Sequence, residues 1–177
     1  MLQYKYNKEK AIQLAAIICK HRGGRTDYGS IVKLLYLTDR ESISKRGFPV
    51  TGDELFSLQH GPVVSHALDA FRHPFSHSHT WLEFFEIEKG NKYVTLKKDP
   101  GFDDLSPADI KILKNVLSEY GNWKFSNLRK FTHNAKRFPE YTEIESGRER
   151  IDPAEILRQA NVSEEDIMKI EAECSAL

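Results

Sequence analysis

The chain has 177 residues, 40% of them hydrophobic and 29% charged, which is typical of a folded domain and excludes general disorder. Lys and Arg together number 26, as do Asp and Glu, so the overall charge gives no reason to expect a nucleic-acid partner. The longest apolar run, residues 14–19, is too short for a membrane span or a signal peptide, so we expect a cytoplasmic protein without membrane contact.

Helical periodicity dominates the N-terminal part of the chain. Apolar residues on all sides of residues 8–22 predict a buried helix. A second helix is predicted over residues 28–45, with Asp27 as its N-cap. Residues 54–58 are consistent with a short strand, and Pro62 is expected at the first position of a third helix.

The middle of the chain differs because it alternates and is rich in aromatic residues. Residues 80–88 and 93–96, joined by the turn sequence Lys89-Gly90-Asn91, predict a β-hairpin over about residues 80–97. Start signals such as Ser106-Pro107 predict a C-terminal helical part over residues 106–177, with helices at 106–120, 126–134, 153–160 and from 163 onward. The predicted fold is mainly α with a small antiparallel β-hairpin (α+β), in a single compact domain over residues 1–177.

Charged residues are unevenly distributed in the C-terminal part. Residues 124–137 hold five Lys and Arg and no acidic residue, whereas residues 138–177 hold eleven Asp and Glu against four Lys and Arg. Either these segments neutralise each other within the fold, or one of them faces a partner of opposite charge. Phe125, Leu128 and Phe131 alternate with the cations at helical spacing. This pattern fits a helix whose apolar side packs in the core and whose basic side is solvated, a nucleic-acid surface, or a docking site for an acidic protein.

Five histidines within twenty residues are the main candidates for metal chemistry. They are His60, His66, His73, His77 and His79. None follows the HExxH pattern, and the last three belong to a predicted polar loop, so we expect a solvated loop and no bound metal. The chain lacks GxSxG and phosphate-loop motifs, and Cys19 and Cys174 lack CxxC spacing and are expected to be reduced. We predict that the protein is not an enzyme and uses no cofactor; the rival interpretation is a metal-dependent enzyme built on the histidines.

A dense set of short motifs is more informative. KLLYLTDR occupies residues 33–40, GFPVTGD residues 47–53 and HGPV residues 60–63. In this order the motifs resemble the Panacea domain of SocA-like antitoxins, which is also found in phage-associated GepA-like proteins. The resemblance is dense over about residues 8–72 and continues more weakly over residues 106–135.

This resemblance implies an antitoxin of a toxin–antitoxin system. It implies a cognate toxin protein as the partner, which the antitoxin neutralises by direct protein–protein binding in the cytoplasm. An adaptor that delivers the toxin to a protease is the alternative within the same family. A DNA-binding repressor is a third hypothesis, although the sequence shows no helix-turn-helix pattern.

The motif residues divide into a structural and a binding group. Those expected to set turns are Gly47, Pro49, Gly52, Asp53, Gly61 and Pro62. The candidate toxin contacts are Tyr36, Asp39, Arg40, Arg129, Lys130, Lys136 and Arg137. Tyr36 and Arg40 are four residues apart, so they share a helix face, and both residue types are frequent interface hot spots. Alternatively, Asp39 and Arg40 pair with neighbours inside the fold.

Overall fold

The computed structural model describes residues 1–74, 79–88, 90 and 92–176. The helices of this part of the chain are α1 (Lys8–His21), α2 (Tyr28–Arg46), α3 (Ser65–Arg72), α4 (His79–Phe84), α5 (Pro107–Tyr120), α6 (Phe125–Thr132), α7 (Pro153–Gln159) and α8 (Glu164–Ser175). The strands are β1 (Arg25–Asp27), β2 (Leu55–Leu58), β3 (Gly61–Val64), β4 (Phe85–Ile87), β5 (Tyr93–Leu96) and β6 (Glu149–Arg150). The prediction of a mainly helical α+β fold is confirmed.

Helix α2 lies at the centre of the fold. Its first turn is capped by the Asp27 side chain, which accepts a hydrogen bond from the Ser30 amide at 2.7 Å, and it ends at Gly47, whose φ of 82° suits a left-handed cap. Every residue from Ser30 to Asp39 is buried, because α1, α3, α5, α6, α7, β1 and β3 all pack against this helix. The polar residues of α2 are therefore carried into the interior together with its leucines.

Two three-stranded antiparallel sheets flank α2. The first has the order β1-β5-β4, with Phe85 opposite Leu96 and Thr26 opposite Val94. It contains the predicted hairpin, but the predicted turn residues Lys89 and Asn91 lie outside the described residues. The second sheet has the order β3-β2-β6.

The expectation of a strand from residue 80 is wrong for its first half, which forms α4. Trp81 and Phe85 are four residues apart and buried, and both rings contact Phe71 of α3 at centroid distances of 5.1 and 5.5 Å. The helical turns of α4 bring Trp81 and Phe85, the first residue of β4, to the side where the Phe71 ring lies. Tertiary packing therefore selects a helical turn where local alternation favours a strand.

The expectation that Pro62 begins a helix is also wrong. Pro62 lies in β3 opposite Ser57, and helix α3 begins only at Ser65. Gly61 follows the two-residue connection at 59–60, and its φ of 93° lets the chain turn back along β2. Proline is tolerated there because β3 is an edge strand of its sheet.

One hydrophobic cluster extends from Leu2 to Ile167 and joins both sheets to the helices. In the C-terminal part, Ile156 and Leu157 of α7 are buried against α2, and α8 packs on α7. Cys19 is buried and Cys174 half-buried, and neither forms a disulfide. Within the described residues, no helix combines the length and apolarity needed to cross a membrane.

Candidate functional site

Tyr36, Arg40 and Glu140 form a polar cluster between α2 and the segment that follows α6. The Tyr36 hydroxyl and the Arg40 Nε both donate to Oε1 of Glu140, each at 2.5 Å. Arg40 also donates to the carbonyl of Arg137 at 2.9 Å and to the Gln159 side chain at 2.8 Å. These bonds fix the segment around residues 137–140 against the central helix.

The electrostatics of this cluster are those of a structural ion pair. The Glu140 side chain is fully buried and the Arg40 side chain is 20% exposed. Burial by itself raises the pKa of Glu140, but the hydrogen bond and charge of Arg40 outweigh it and hold this pKa below its ordinary value. Burial, together with the Glu140 charge, raises the pKa of Tyr36 well above its ordinary value.

Of the candidate toxin contacts on the shared face of α2, Tyr36 is completely buried. The physical reason is that α2 has neighbours on all sides, so helical spacing places Tyr36 against Phe138 and not toward solvent. Arg40 keeps a partial exposure but is engaged by Glu140. The toxin-binding role assigned to these residues stays a prediction.

Asp39 is also buried, and its hydrogen-bond partners lie inside the fold. It accepts hydrogen bonds from the amides of Val50 and Thr51, both at 2.9 Å, and from the Thr51 hydroxyl. Burial raises the pKa of Asp39 to about 7, although the hydrogen bonds from Thr51 oppose this. Asp39 thus anchors the loop between α2 and β2, and both Asp39 and Arg40 have partners inside the fold, as their structural interpretation predicts.

The same loop carries two further motif residues with defined structural tasks. Gly52 has φ 69°, and a Cβ atom there would lie 2.1 Å from the backbone oxygen of Lys5. Asp53 accepts hydrogen bonds from the amides of His66 and Ala67 at 2.9 and 3.1 Å, so it caps α3 in place of the non-polar N-cap Val64. Asp53 also contacts the His66 ring at 2.8 Å and thereby raises the pKa of His66.

The described histidines of the sequence cluster have separate environments. His66 is held by Asp53 and stacks on Tyr6 at a centroid distance of 4.4 Å, and His60, His73 and His79 are exposed. His77 lies outside the described residues. Among the residues the structure describes, no three His, Cys, Asp or Glu side chains are arranged to hold a metal ion.

A groove of about 920 Å³ opens beside α2, between both sheets and the start of α6. Its apolar and aromatic walls are Tyr28, Val32, Leu58, Val63, Leu68, Tyr93 and Phe125. Its cations are Arg22, Arg25, Lys33, Arg72, Lys92 and Lys124, and its acids are Asp27 and Glu145. We call this feature the groove. Its volume lies within the roughly 300–1,000 Å³ of small-molecule sites.

Lys33 is the most unusual residue of the groove because it is a buried cation with which no acidic side chain of the described residues pairs. It is 1% exposed, and its Nζ donates to the Pro62 carbonyl at 2.8 Å. Within the described part of the chain it forms no ion pair. Burial, reinforced by the charge of Arg129, lowers the pKa of Lys33 to about 7. Gly61 provides the space, since a Cβ atom at this position would lie 2.7 Å from the Lys33 Nζ and 2.9 Å from the His133 ring.

A second charged feature is the basic face, by which we mean Arg129, Lys130, Lys136 and Arg137. All four residues are exposed, and no ion pair joins them to an acidic side chain among the residues described. Several acids of the C-terminal segment pair with other cations: Glu140 with Arg40, Glu164 with Arg158, and Glu165 with Lys169. The charge distribution allowed two arrangements. Within the described residues, the acidic segment does not neutralise the basic face through ion pairs.

A family model matches the part of the chain that contains most of these features. The family model described as antitoxin SocA-like, Panacea domain, matches residues 31–138, which is more than half of the chain. The chain belongs to this family. The predicted resemblance is thereby confirmed. No curated protein and no solved structure gives a significant match.

The Panacea-domain match covers Lys33, the loop anchored by Asp39, and the whole basic face, whereas Glu140 lies two residues beyond it. Sequence reasoning missed Lys33 and Glu140. A signal for Lys33 was present, since a lysine inside the apolar run Ile31–Leu35 of a helix predicts a buried cation. Glu140 had no local signal because its partners lie about 100 residues away in the chain.

Proposed function

We propose that this Panacea-domain protein is an antitoxin that neutralises its cognate toxin by direct binding, and that the basic face is the surface that the toxin contacts. Membership of the SocA-like antitoxin family supports the antitoxin role. The observation that carries the choice of surface is the group of four exposed cations without acidic partners among the described residues. A partner with an acidic surface would supply the missing counter-charges.

The structure of this region suits a preformed binding surface. Leu128 and Thr132 of α6 are buried, while Arg129 and Lys130 of the same helix are exposed, so the helix packs one side inward and presents the other. The Arg137 guanidinium lies over the Phe131 ring at 5.4 Å, which limits its freedom. Clustered charges of one sign also accelerate association with an oppositely charged partner, and salt weakens this effect.

The test is co-expression of the protein with the toxin encoded by the adjacent gene, followed by co-purification. Wild-type protein should restore growth and form a stable complex. The double variant Arg129→Glu with Lys130→Glu should lose protection and complex formation while it stays soluble and melts as before. The matched control is Lys111→Glu with Lys114→Glu on α5, which makes the same charge change at exposed residues that do not belong to the basic face. This control should protect like the wild type.

Three outcomes would contradict the proposal. Protection by the Arg129→Glu, Lys130→Glu variant would show that the toxin binds elsewhere. Equal loss of protection in the α5 control would show that total charge matters and not the basic face. A fall in toxin level without a stable complex, abolished when the host proteases are deleted, would replace direct neutralisation by the adaptor mechanism.

A further inference from the structure

We propose that the groove is a binding site for a phosphate-bearing small molecule of the nucleotide class, with its anionic part against Lys33 and the cations at the mouth and its ring against the aromatic walls. This function is separate from toxin binding through the basic face. It follows from four features of the groove: its buried cation, the excess of positive charge at its mouth, the orientation of α6, and its apolar walls.

The first feature is the buried Lys33 side chain, which no carboxylate of the described residues accompanies. A buried ammonium group is costly unless an opposite charge accompanies it. The Lys33 Nζ has three N–H groups, of which one donates to the Pro62 carbonyl. Lys33 is one of the residues that line the groove. A bound phosphate would provide both the counter-charge and the acceptors that the described residues do not.

The second feature is the positive charge at the mouth. Arg72, Lys92 and Lys124 are exposed lining residues that form no ion pair with a described acidic side chain, and the one acid that is likewise unpaired is Glu145. Of the other lining cations, Arg22 pairs with Asp27 and Arg25 with Glu88. The field is strong enough to act on His60, whose pKa is lowered first by burial and then by Arg129, Lys92, Lys33 and Arg72. An anion entering the groove therefore meets a net attractive potential.

The third feature is the N-terminus of α6. Lys124, Phe125 and Ser126 line the groove, so the helix begins there. Its N-cap is Lys124, whose side chain makes no capping hydrogen bond, unlike Ser106 at the start of α5. The positive end of a helix that lacks a side-chain acceptor favours an anion, and here it adds to the charges of Lys33 and Lys124.

The fourth feature selects an organic ligand over a bare inorganic ion. Tyr28, Phe125 and the aliphatic residues Val32, Val63 and Leu68 give the groove apolar and aromatic walls, and its volume of about 920 Å³ far exceeds that of a phosphate ion. A flat ring can pack against aromatic side chains while a phosphate chain reaches the cations. Nucleotides combine these two parts.

The experiment is calorimetric titration of the isolated protein with ATP, and separately with adenosine and with tripolyphosphate. ATP should bind with a stoichiometry of one, and more tightly than either half alone. Lys33→Met should weaken ATP binding at least tenfold, because a hydrogen bond to a charged group is lost. Lys124→Gln at the exposed mouth should weaken it several-fold, and it tests the groove independently of any change in the interior.

The matched control is Lys136→Gln with Arg137→Gln, which removes two cations from the basic face outside the groove. Its affinity for ATP should stay within twofold of the wild type. Absence of ATP binding at millimolar concentration would overturn the proposal, as would equal weakening in the control, which would indicate unspecific attraction. If ATP does not bind and Lys124→Gln abolishes protection against the toxin, the groove is a toxin contact and the small-molecule proposal is wrong.

Discussion

Replacing Lys33 by Met should stabilise the protein in neutral and acid solution, against the usual effect of a core substitution. Burial lowers the pKa of Lys33 from 10.5 to about 7, and a difference of this size corresponds to about 5 kcal/mol of unfavourable free energy when the group is charged. The substitution also removes the hydrogen bond to the Pro62 carbonyl, which costs about 1–3 kcal/mol. The net gain in free energy of unfolding should therefore be about 2–4 kcal/mol near pH 6.

The gain should shrink as the pH rises. Below pH 7 Lys33 is protonated in both the folded and the unfolded chain, so the full cost of the buried charge is present in the wild type. Between pH 7 and 10.5 the folded protein has released a proton that the unfolded chain still holds, so wild-type stability increases with pH. The advantage of Lys33→Met should be about 3 kcal/mol smaller near pH 9 than near pH 6.

Urea unfolding followed by circular dichroism, at both pH values, measures this difference. Comparison of the two proteins at each pH cancels the contributions of titrating groups that the charge of Lys33 does not influence. Lys136→Met serves as the control because Lys136 is exposed, and its effect should not depend on pH. If Lys33→Met is destabilising near pH 6, or if its effect is constant between the two pH values, the reasoning about a desolvated cation is refuted.

Two further predictions concern the motif residues. Gly52→Ala should destabilise the protein by several kcal/mol, since its Cβ would lie 2.1 Å from the Lys5 backbone oxygen. Gly101→Ala has φ 73° and no atom within 4 Å of the added Cβ, so it should lose only the roughly 1–2 kcal/mol of backbone strain. Thermal melts of both variants compare the two losses, and equal losses would contradict the prediction. Arg40→Glu should lower the free energy of unfolding by about 3–5 kcal/mol at pH 7 because it leaves the buried Glu140 without its cation, and unchanged chemical denaturation would show that the ion pair contributes nothing.

Local signals in the sequence determined most of the helical part of the fold. The Asp27 cap and the Ser106-Pro107 start signal both lie at observed helix starts, and the Ser106–Asp109 capping box is formed as its residue types suggest. These features depend on residues within four positions of each other, so a sequence displays them completely. The motifs between Lys33 and Val63 and their order likewise indicated the family, and the match over residues 31–138 confirms this family.

Tertiary structure decided the direction in which each polar motif residue points and the groups it meets. Helical spacing placed Tyr36 and Arg40 on one face, but it could not show that this face is covered by the segment containing Phe138 and Glu140. The groove likewise brings together side chains from β1, α2, β3 and the start of α6, with Lys33 at its lining. Burial and the distances between charges arise from contacts between residues far apart in the chain, so the buried cation and its lowered pKa exist only in the folded protein.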